Sequence, residues 1–100
     1  MEETIKTIND KTVESSLNWR IDILSIDSLQ YTERGKTIKL EIEDRPDERG
    51  ELEWIIHLPK NWTWNNKNND ESVTTEKIAE ILNRISLAFW KLDMKIKEIV

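Results

Sequence analysis

Two neighbouring segments of the chain, residues 37–43 and 51–58, alternate apolar and polar side chains with a period of two. This period puts every second side chain on the same face of a β-strand, so each segment is predicted to bury one face. The polar stretch between them contains Pro46 and Gly50, which favour a loop. The pattern therefore predicts a β-hairpin, with a buried face made of Ile38, Leu40, Ile42, Leu52, Trp54, Ile56 and Leu58.

Further strands are predicted on both sides of this hairpin. Residues 17–23 alternate in the same way, and the alternation slips at Leu24 and Ile26, which predicts a bulge or the end of pairing there. Residues 29–32 form a short strand that pairs with 37–43 through a turn at 33–36. Residues 1–16 fit either a short helix or a strand, and the alternation in residues 94–100 suggests a short final strand.

A long amphipathic helix is predicted after the loop that contains Pro59 and the asparagine-rich residues 61–71. Thr74 is a good N-cap and Glu76 lies in the first turn, where the helix dipole favours a carboxylate. An apolar stripe follows at helical spacing, formed by Ile78, Ile81, Leu82, Ile85, Ala88, Phe89 and Leu92 and widened by Leu87 and Trp90.

These elements predict an α+β fold in one domain spanning residues 1–100. We expect an antiparallel sheet of about four to five strands, because one exposed apolar face of such a sheet can be covered by one helix. The long C-terminal amphipathic helix would pack on that face, and a short final strand is possible.

Composition argues against most catalytic and cofactor chemistry. The 100 residues contain no cysteine and one histidine, which excludes disulfides, thiolate zinc sites and a cysteine nucleophile. His57 lies within a strand and is more simply a surface histidine than a general base. Gly35 and Gly50 are isolated, so the known phosphate-binding loops are excluded. We therefore expect a protein that is not an enzyme and holds neither a metal nor another cofactor.

Hydropathy and the N-terminal residues bear on the compartment. No apolar run approaches the roughly 20 residues that cross a bilayer. The acidic start, Met1-Glu2-Glu3, lacks the layout of a signal peptide. A cytoplasmic protein that does not bind membranes is expected.

The formal net charge of −5 arises entirely from residues 41–53, which we call the acidic segment. It contains two arginines and seven acidic residues, namely Glu41, Glu43, Asp44, Asp47, Glu48, Glu51 and Glu53. Such a surface repels nucleic acid and attracts basic proteins. Two other interpretations of the acidic segment stay open. It could simply form a solvated outer face of the sheet, or paired carboxylates in it could act as acid and base in a cleft.

Two tryptophans lie in the loop after the hairpin. Trp62 and Trp64 are flanked by asparagine and threonine. Tryptophan is enriched among the residues that anchor protein interfaces, so both are candidate partner-binding residues. The alternative is that both rings fold back and cap the open end of the core.

In its layout, this small, acidic, cysteine-free chain resembles bacterial toxin-immunity proteins, including those of contact-dependent growth inhibition and related polymorphic toxins. The resemblance is carried by the hairpin 37–58, the segment 62–64, the helix 78–92 and the residues 94–96 that follow. It implies a protein that binds a cognate toxin, often a nuclease with a basic surface, in the same cell and blocks it.

The resemblance gives the acidic segment and the two loop tryptophans a joint role as the partner-binding surface of a monomer or weak dimer. The alternative is a small acidic secretion chaperone or adaptor, working as a dimer through its helix or a sheet edge. Exposure of Leu87 and Trp90 would favour that alternative.

Overall fold

Seven strands form one curled sheet, and a single helix packs on its inner face. The structure is a computed structural model that describes residues 2–65 and 71–100. The predicted loop residues 66–70 lie outside the described residues. The elements are β1 (Ile5–Asn9), β2 (Thr12–Ser15), β3 (Trp19–Ser25), β4 (Ser28–Glu33), β5 (Lys36–Pro46), β6 (Leu52–His57), β7 (Thr63–Trp64), β8 (Glu71–Ser72), α1 (Thr75–Lys91) and β9 (Lys95–Ile99).

The strand order in the sheet is β1-β2-β3-β4-β5-β6-β9, and β7 pairs separately with β8. Neighbouring strands from β1 to β6 are antiparallel, whereas β9 is parallel to β6. The predicted α+β class with one C-terminal helix is confirmed. The prediction of four to five antiparallel strands was wrong, because the ambiguous N-terminal residues form the hairpin β1–β2. In addition, the chain returns through α1 to add β9 in the parallel direction, as helical crossovers allow.

The predicted pairing of β4 with β5 is confirmed in detail. Glu33 lies opposite Lys36, and the two residues between them have positive φ angles, 50° at Arg34 and 81° at Gly35. A two-residue turn with both φ angles positive matches the right-handed twist of the flanking strands. The predicted slip after β3 is also present, since the register with β4 shifts between Ile23 and Ser25.

The core fills the space between the inner sheet face and α1. Thr74 caps the helix as predicted, because its side chain accepts a hydrogen bond from the Lys77 amide at 3.2 Å. Trp54 of β6 meets Phe89 of α1 edge to face, with ring centroids 6.3 Å apart. The buried helix residues are Ile81, Ile85, Ala88 and Phe89.

Four residues that we expected on or beside the buried faces lie at the surface instead. One of them is Leu17, which is 40% exposed just before β3. Leu52 and Leu58 stand at the two ends of β6 and are 53% and 41% exposed. Trp90 is 70% exposed, because it lies on the side of α1 that faces away from the sheet. Leu87, beside it, is half-buried.

A cluster of polar side chains ties β4 to α1. Tyr31 donates a hydrogen bond to Glu33 at 2.5 Å, and Lys77 and Arg84 approach the Glu33 carboxylate at 3.0 Å each. Burial raises the pKa of Glu33, but hydrogen bonds from Tyr31 and Lys77 and the nearby positive charges outweigh burial and lower it. The ionised form of Glu33 therefore stabilises the contact between sheet and helix.

Glu33→Gln should lower the free energy of unfolding at pH 7 by about 1–3 kcal/mol, because Lys77 and Arg84 lose their shared anion. A carboxyl group whose pKa is lowered by folding contributes stability above its ordinary value of 4.5 and loses it as the pH falls through the folded value. Urea unfolding at pH 7 and at about pH 3 should therefore show a difference between wild type and variant that shrinks in acid.

Glu48→Gln, at an exposed loop residue, is the matched control and should unfold like wild type at both pH values. An equal loss from both substitutions would contradict this role of Glu33.

Candidate protein-binding surface

The acidic segment forms the second half of β5, the following loop and the first half of β6. Opposed residues of paired strands share a face, so the register places Glu41 beside His57 and Glu43 beside Ile55 on the outer face. Glu53 lies opposite Arg45 on the same face. Asp44 instead lies opposite Trp54, and its side chain therefore belongs to the inner face at the end where the core opens.

Two of the seven carboxylates are paired with cations of their own chain. Glu43 contacts Arg45 at 2.7 Å and His57 at 3.2 Å. The hydrogen bond from Arg45, and then that from His57, lowers the pKa of Glu43. Glu53 contacts Lys95 of β9 at 3.4 Å, and only 14% of its side chain is exposed. These two residues therefore contribute less negative field than the sequence alone indicated.

Asp47 has a structural part in the loop. Its Oδ1 accepts hydrogen bonds from the amides of Arg49 at 2.8 Å and Glu51 at 2.9 Å. Its own amide donates to the Glu51 carbonyl oxygen at 2.8 Å. The carboxylate thus takes the place of a backbone acceptor and fixes the loop, as aspartate commonly does in turns.

The remaining four residues are Glu41, Asp44, Glu48 and Glu51, which we call the open carboxylates. Within residues 2–65 and 71–100, no salt bridge reaches any of them. Glu48 and Glu51 are exposed on either side of Gly50 in the loop, whereas Asp44 is half-buried. Glu41 is also exposed, but it lies at the other end of the β5–β6 ladder, opposite His57. The open carboxylates are therefore spread along the hairpin, and two of the four lie in its loop.

The two loop tryptophans pack inward, as in the capping alternative. Trp64 is only 6% exposed, and its ring lies 6.1 Å from that of Tyr31. Trp62 is half-buried against the same core. The structure thus contradicts an exposed anchoring role for Trp64, because its ring is already desolvated by its own chain.

Sequence reasoning missed an apolar groove at the open end of the core. The groove has a volume of about 520 Å³ and is lined by Asp10, Lys11, Ile23, Ser25, Ile26, Trp54 and Met94. Ile26, which is 70% exposed, forms part of this lining. The available signal was the slip in alternation at Leu24 and Ile26, which marks the end of β3 and the start of the turn that contains Ile26. Asp44 lies opposite Trp54, one of these lining residues, in the register of β5 and β6.

Other kinds of site find little support in the described part of the chain. No three His, Asp or Glu side chains among residues 2–65 and 71–100 are grouped as a metal ion would require. Over the same ranges, no helix has the length and apolar character needed to span a bilayer. His57 is engaged with Glu43 on the outer face and has no serine or other nucleophile among its hydrogen-bond partners.

Comparison with models of known protein families, with curated proteins and with solved structures gives no match for this chain. Its function is therefore inferred from the chemistry of its surface. Two features that a partner could recognise are the open carboxylates and the apolar groove.

Asp47→Ala should lower the free energy of unfolding by about 1–2 kcal/mol, because two backbone amides lose a charged acceptor. Asp47→Asn keeps an oxygen at the same place and should retain most of the stability. Urea unfolding of both variants measures the difference. If Asp47→Ala unfolds like wild type, the carboxylate does not fix the loop.

Proposed function

We propose that the protein is an immunity protein that binds and neutralises a bacterial toxin with a basic surface, in the cytoplasm of the cell that makes the toxin. The toxin would carry a nuclease domain, because such domains present lysine and arginine around a phosphate-binding site. The observation that carries the proposal is the set of open carboxylates on this hairpin, two of which, Glu48 and Glu51, are exposed in its loop.

The negative charge of the open carboxylates would speed the association of this protein with a basic toxin. An acidic patch raises the association rate with a basic partner by about 10- to 1,000-fold and does so through charge alone. Fast capture suits an inhibitor that must act before the toxin reaches its substrate. The hairpin is well placed for it, because β5 and β6 form a regular ladder and Asp47 fixes the loop between them.

The apolar groove would supply the affinity that charge alone does not give. Tight interfaces depend on a few desolvated anchors surrounded by polar contacts. A groove of about 520 Å³ accepts one or two large apolar side chains, and Asp44 could pair with a cation beside them. We therefore expect the toxin to present an apolar side chain flanked by lysine or arginine.

The decisive experiment uses the toxin encoded beside this protein in its source genome, since immunity genes lie next to their toxins. The toxin domain is expressed in a bacterial host with and without this protein, and growth is recorded. Restored growth together with a purified complex of the two proteins supports the proposal. Unchanged toxicity, with no complex formed, would overturn it.

Replacing Glu48 and Glu51 together by lysine should lower the association rate constant with that toxin by about tenfold or more at low salt. The dissociation rate should change less, and the dependence of association on ionic strength should flatten. Stopped-flow mixing at several salt concentrations measures both effects.

The matched control replaces Glu2 and Glu14, at the other end of the sheet, by lysine and changes the net charge by the same amount. Equal slowing by both double variants would show an effect of net charge alone and would contradict a specific role for the hairpin.

Ile26→Asp tests the groove separately. It should raise the dissociation rate of the same complex by about tenfold or more, because a carboxylate would replace an apolar contact in the groove. Leu24→Asp is the control, since Leu24 is also exposed in the same region but does not line the groove. Equal dissociation rates for Ile26→Asp and wild type would remove the groove from the interface.

The second candidate function is a secretion chaperone or adaptor acting as a dimer. The 70% exposure of Trp90 favours it, because tryptophan is enriched among the residues that anchor protein interfaces. A chaperone binds an unfolded segment of its client, whereas an immunity protein binds a folded toxin domain. Binding to the folded domain alone, measured by calorimetry, therefore distinguishes the two.

A further inference from the structure

Residues 2–8, which we call the strap, lie at the edge of the sheet and bury little surface. They contain most of β1, the edge strand that pairs with β2. Four of the five residues of β1 are exposed, and Ile5 packs against the core. A segment that buries so few apolar contacts belongs to the least stable part of a fold.

Glu3, at the free end of the strap, forms hydrogen bonds that the core needs. Trp19 is buried, so its indole N–H is shielded from water and requires an acceptor within the protein. The Glu3 carboxylate is that acceptor, with 2.6 Å between its Oε2 and the indole Nε1. The same oxygen accepts a hydrogen bond from the hydroxyl of Ser15, which is also buried. One exposed carboxylate thus satisfies two buried donors.

The residue after Glu3 is bonded to the turn between β2 and β3. The Thr4 amide donates to the Ser16 hydroxyl oxygen at 2.9 Å, and the Ser16 amide donates to the Thr4 carbonyl oxygen at 2.9 Å. The hydrogen bonds of Glu3 and Thr4 together hold the free end of the strap against the sheet.

The other end of the strap has a place to bend. The register between β1 and β2 shifts between Thr7 and Asn9, and such a bulge disrupts the ladder locally. Beyond it, the Lys11 amide donates to Asn9 Oδ1 at 2.8 Å. The Lys11 carbonyl oxygen accepts from the Ile23 amide at 2.8 Å, so the turn after the strap is tied to β3. Bending is therefore confined to the strap itself.

The donor that Glu3 binds is fixed by packing on its other sides. The Trp19 ring stacks on Tyr31, with ring centroids 6.4 Å apart. The Arg84 guanidinium lies 5.3 Å from the Trp19 ring centroid and donates to the Tyr31 hydroxyl at 2.7 Å. Trp19 thus belongs to the rigid contact between sheet and helix, and the strap is the part that can move.

We propose that the strap is a conformational device, hinged at the bulge and latched by the Glu3 carboxylate on Trp19 and Ser15. Opening separates β1 from β2 and uncovers the two donors, while the sheet from β2 to β9 and α1 stay folded. A carboxylate suits the latch, because charge-assisted hydrogen bonds are stronger than those between neutral groups. The open form makes β2 the edge of the sheet, and a free edge can pair with another strand. The proposal does not depend on the proposed function.

Amide hydrogen exchange of the wild-type protein, followed by NMR at several low urea concentrations, tests whether the strap opens alone. Exchange of the Ser16 amide should hardly depend on urea, because a local opening exposes little surface. Exchange of the Ile23 amide should rise steeply with urea, because its bond to Lys11 lies beyond the hinge. The same urea dependence at Ser16 and Ile23 would overturn the proposal, since the strap would then open only with the whole sheet.

Glu3→Ala tests the latch. The Ser16 amide and the Trp19 indole N–H should exchange about tenfold or more faster than in wild type, because the strap has lost its charged acceptor. Glu3→Gln keeps an oxygen at the same place without the charge, so its exchange rates should lie between those of wild type and Glu3→Ala. Glu2→Ala, which removes a neighbouring exposed carboxylate, is the matched control and should exchange like wild type. Wild-type rates in Glu3→Ala, or an equal acceleration in Glu2→Ala, would overturn the role of Glu3.

Discussion

The burial of the inner sheet face by α1 is the interaction on which the rest of the structure depends. A curled sheet with one apolar face is stable in water only if that face is covered, and α1 is the one helix that the described residues provide to cover it. Ile81, Ile85, Ala88 and Phe89 do so, and Trp54 meets Phe89 across the two layers. The polar cluster around Glu33 holds the same two layers together at the edge of the core.

The packing of α1 on the sheet also determines which surfaces stay exposed to other molecules. The sheet is wider than one helix, so the core opens at the end where Ile23, Ile26 and Trp54 line the groove. The helix in turn presents its far side to solvent, with Trp90 at its end. The loop of the acidic segment, which Asp47 fixes, is also exposed. The packing of one helix on the sheet thus leaves three separate surfaces exposed, namely the groove, the outer side of α1 and the loop of the acidic segment.

Local patterns predicted the elements well because their causes are local. The alternation in residues 37–43 and 51–58, the turn at Arg34 and Gly35 and the cap at Thr74 each depend on a few neighbouring residues, and all are present. The number of strands could not be predicted in the same way. Residues 5–15 have no strong period, and β9 joins the sheet only because the helix brings it back beside β6.

The candidate site was predicted in part for a related reason. Net charge is a sum over the sequence, so the sequence alone was enough to locate the acidic segment. Which of its carboxylates form salt bridges depends on partners from other strands. Lys95 reaches Glu53 from β9, and His57 reaches Glu43 across the ladder. For Trp64 the sequence left two interpretations open, an interface anchor and a cap on the core, and tertiary packing buries it against Tyr31. The groove could not be predicted from the sequence, because its lining residues come from both ends of the chain.

The parallel pairing of β9 with β6 has a consequence for how the chain folds during synthesis. The strands from β1 to β6 can pair in order as each leaves the ribosome, because each lies next to its predecessor. The outer edge of β6 stays unpaired until the whole helix and residues 95–99 have been synthesised. This contact spans roughly forty positions of sequence, and such distant contacts are slow to form. Until then, a nascent chain carries an open strand edge, which is the form of this protein most prone to aggregate.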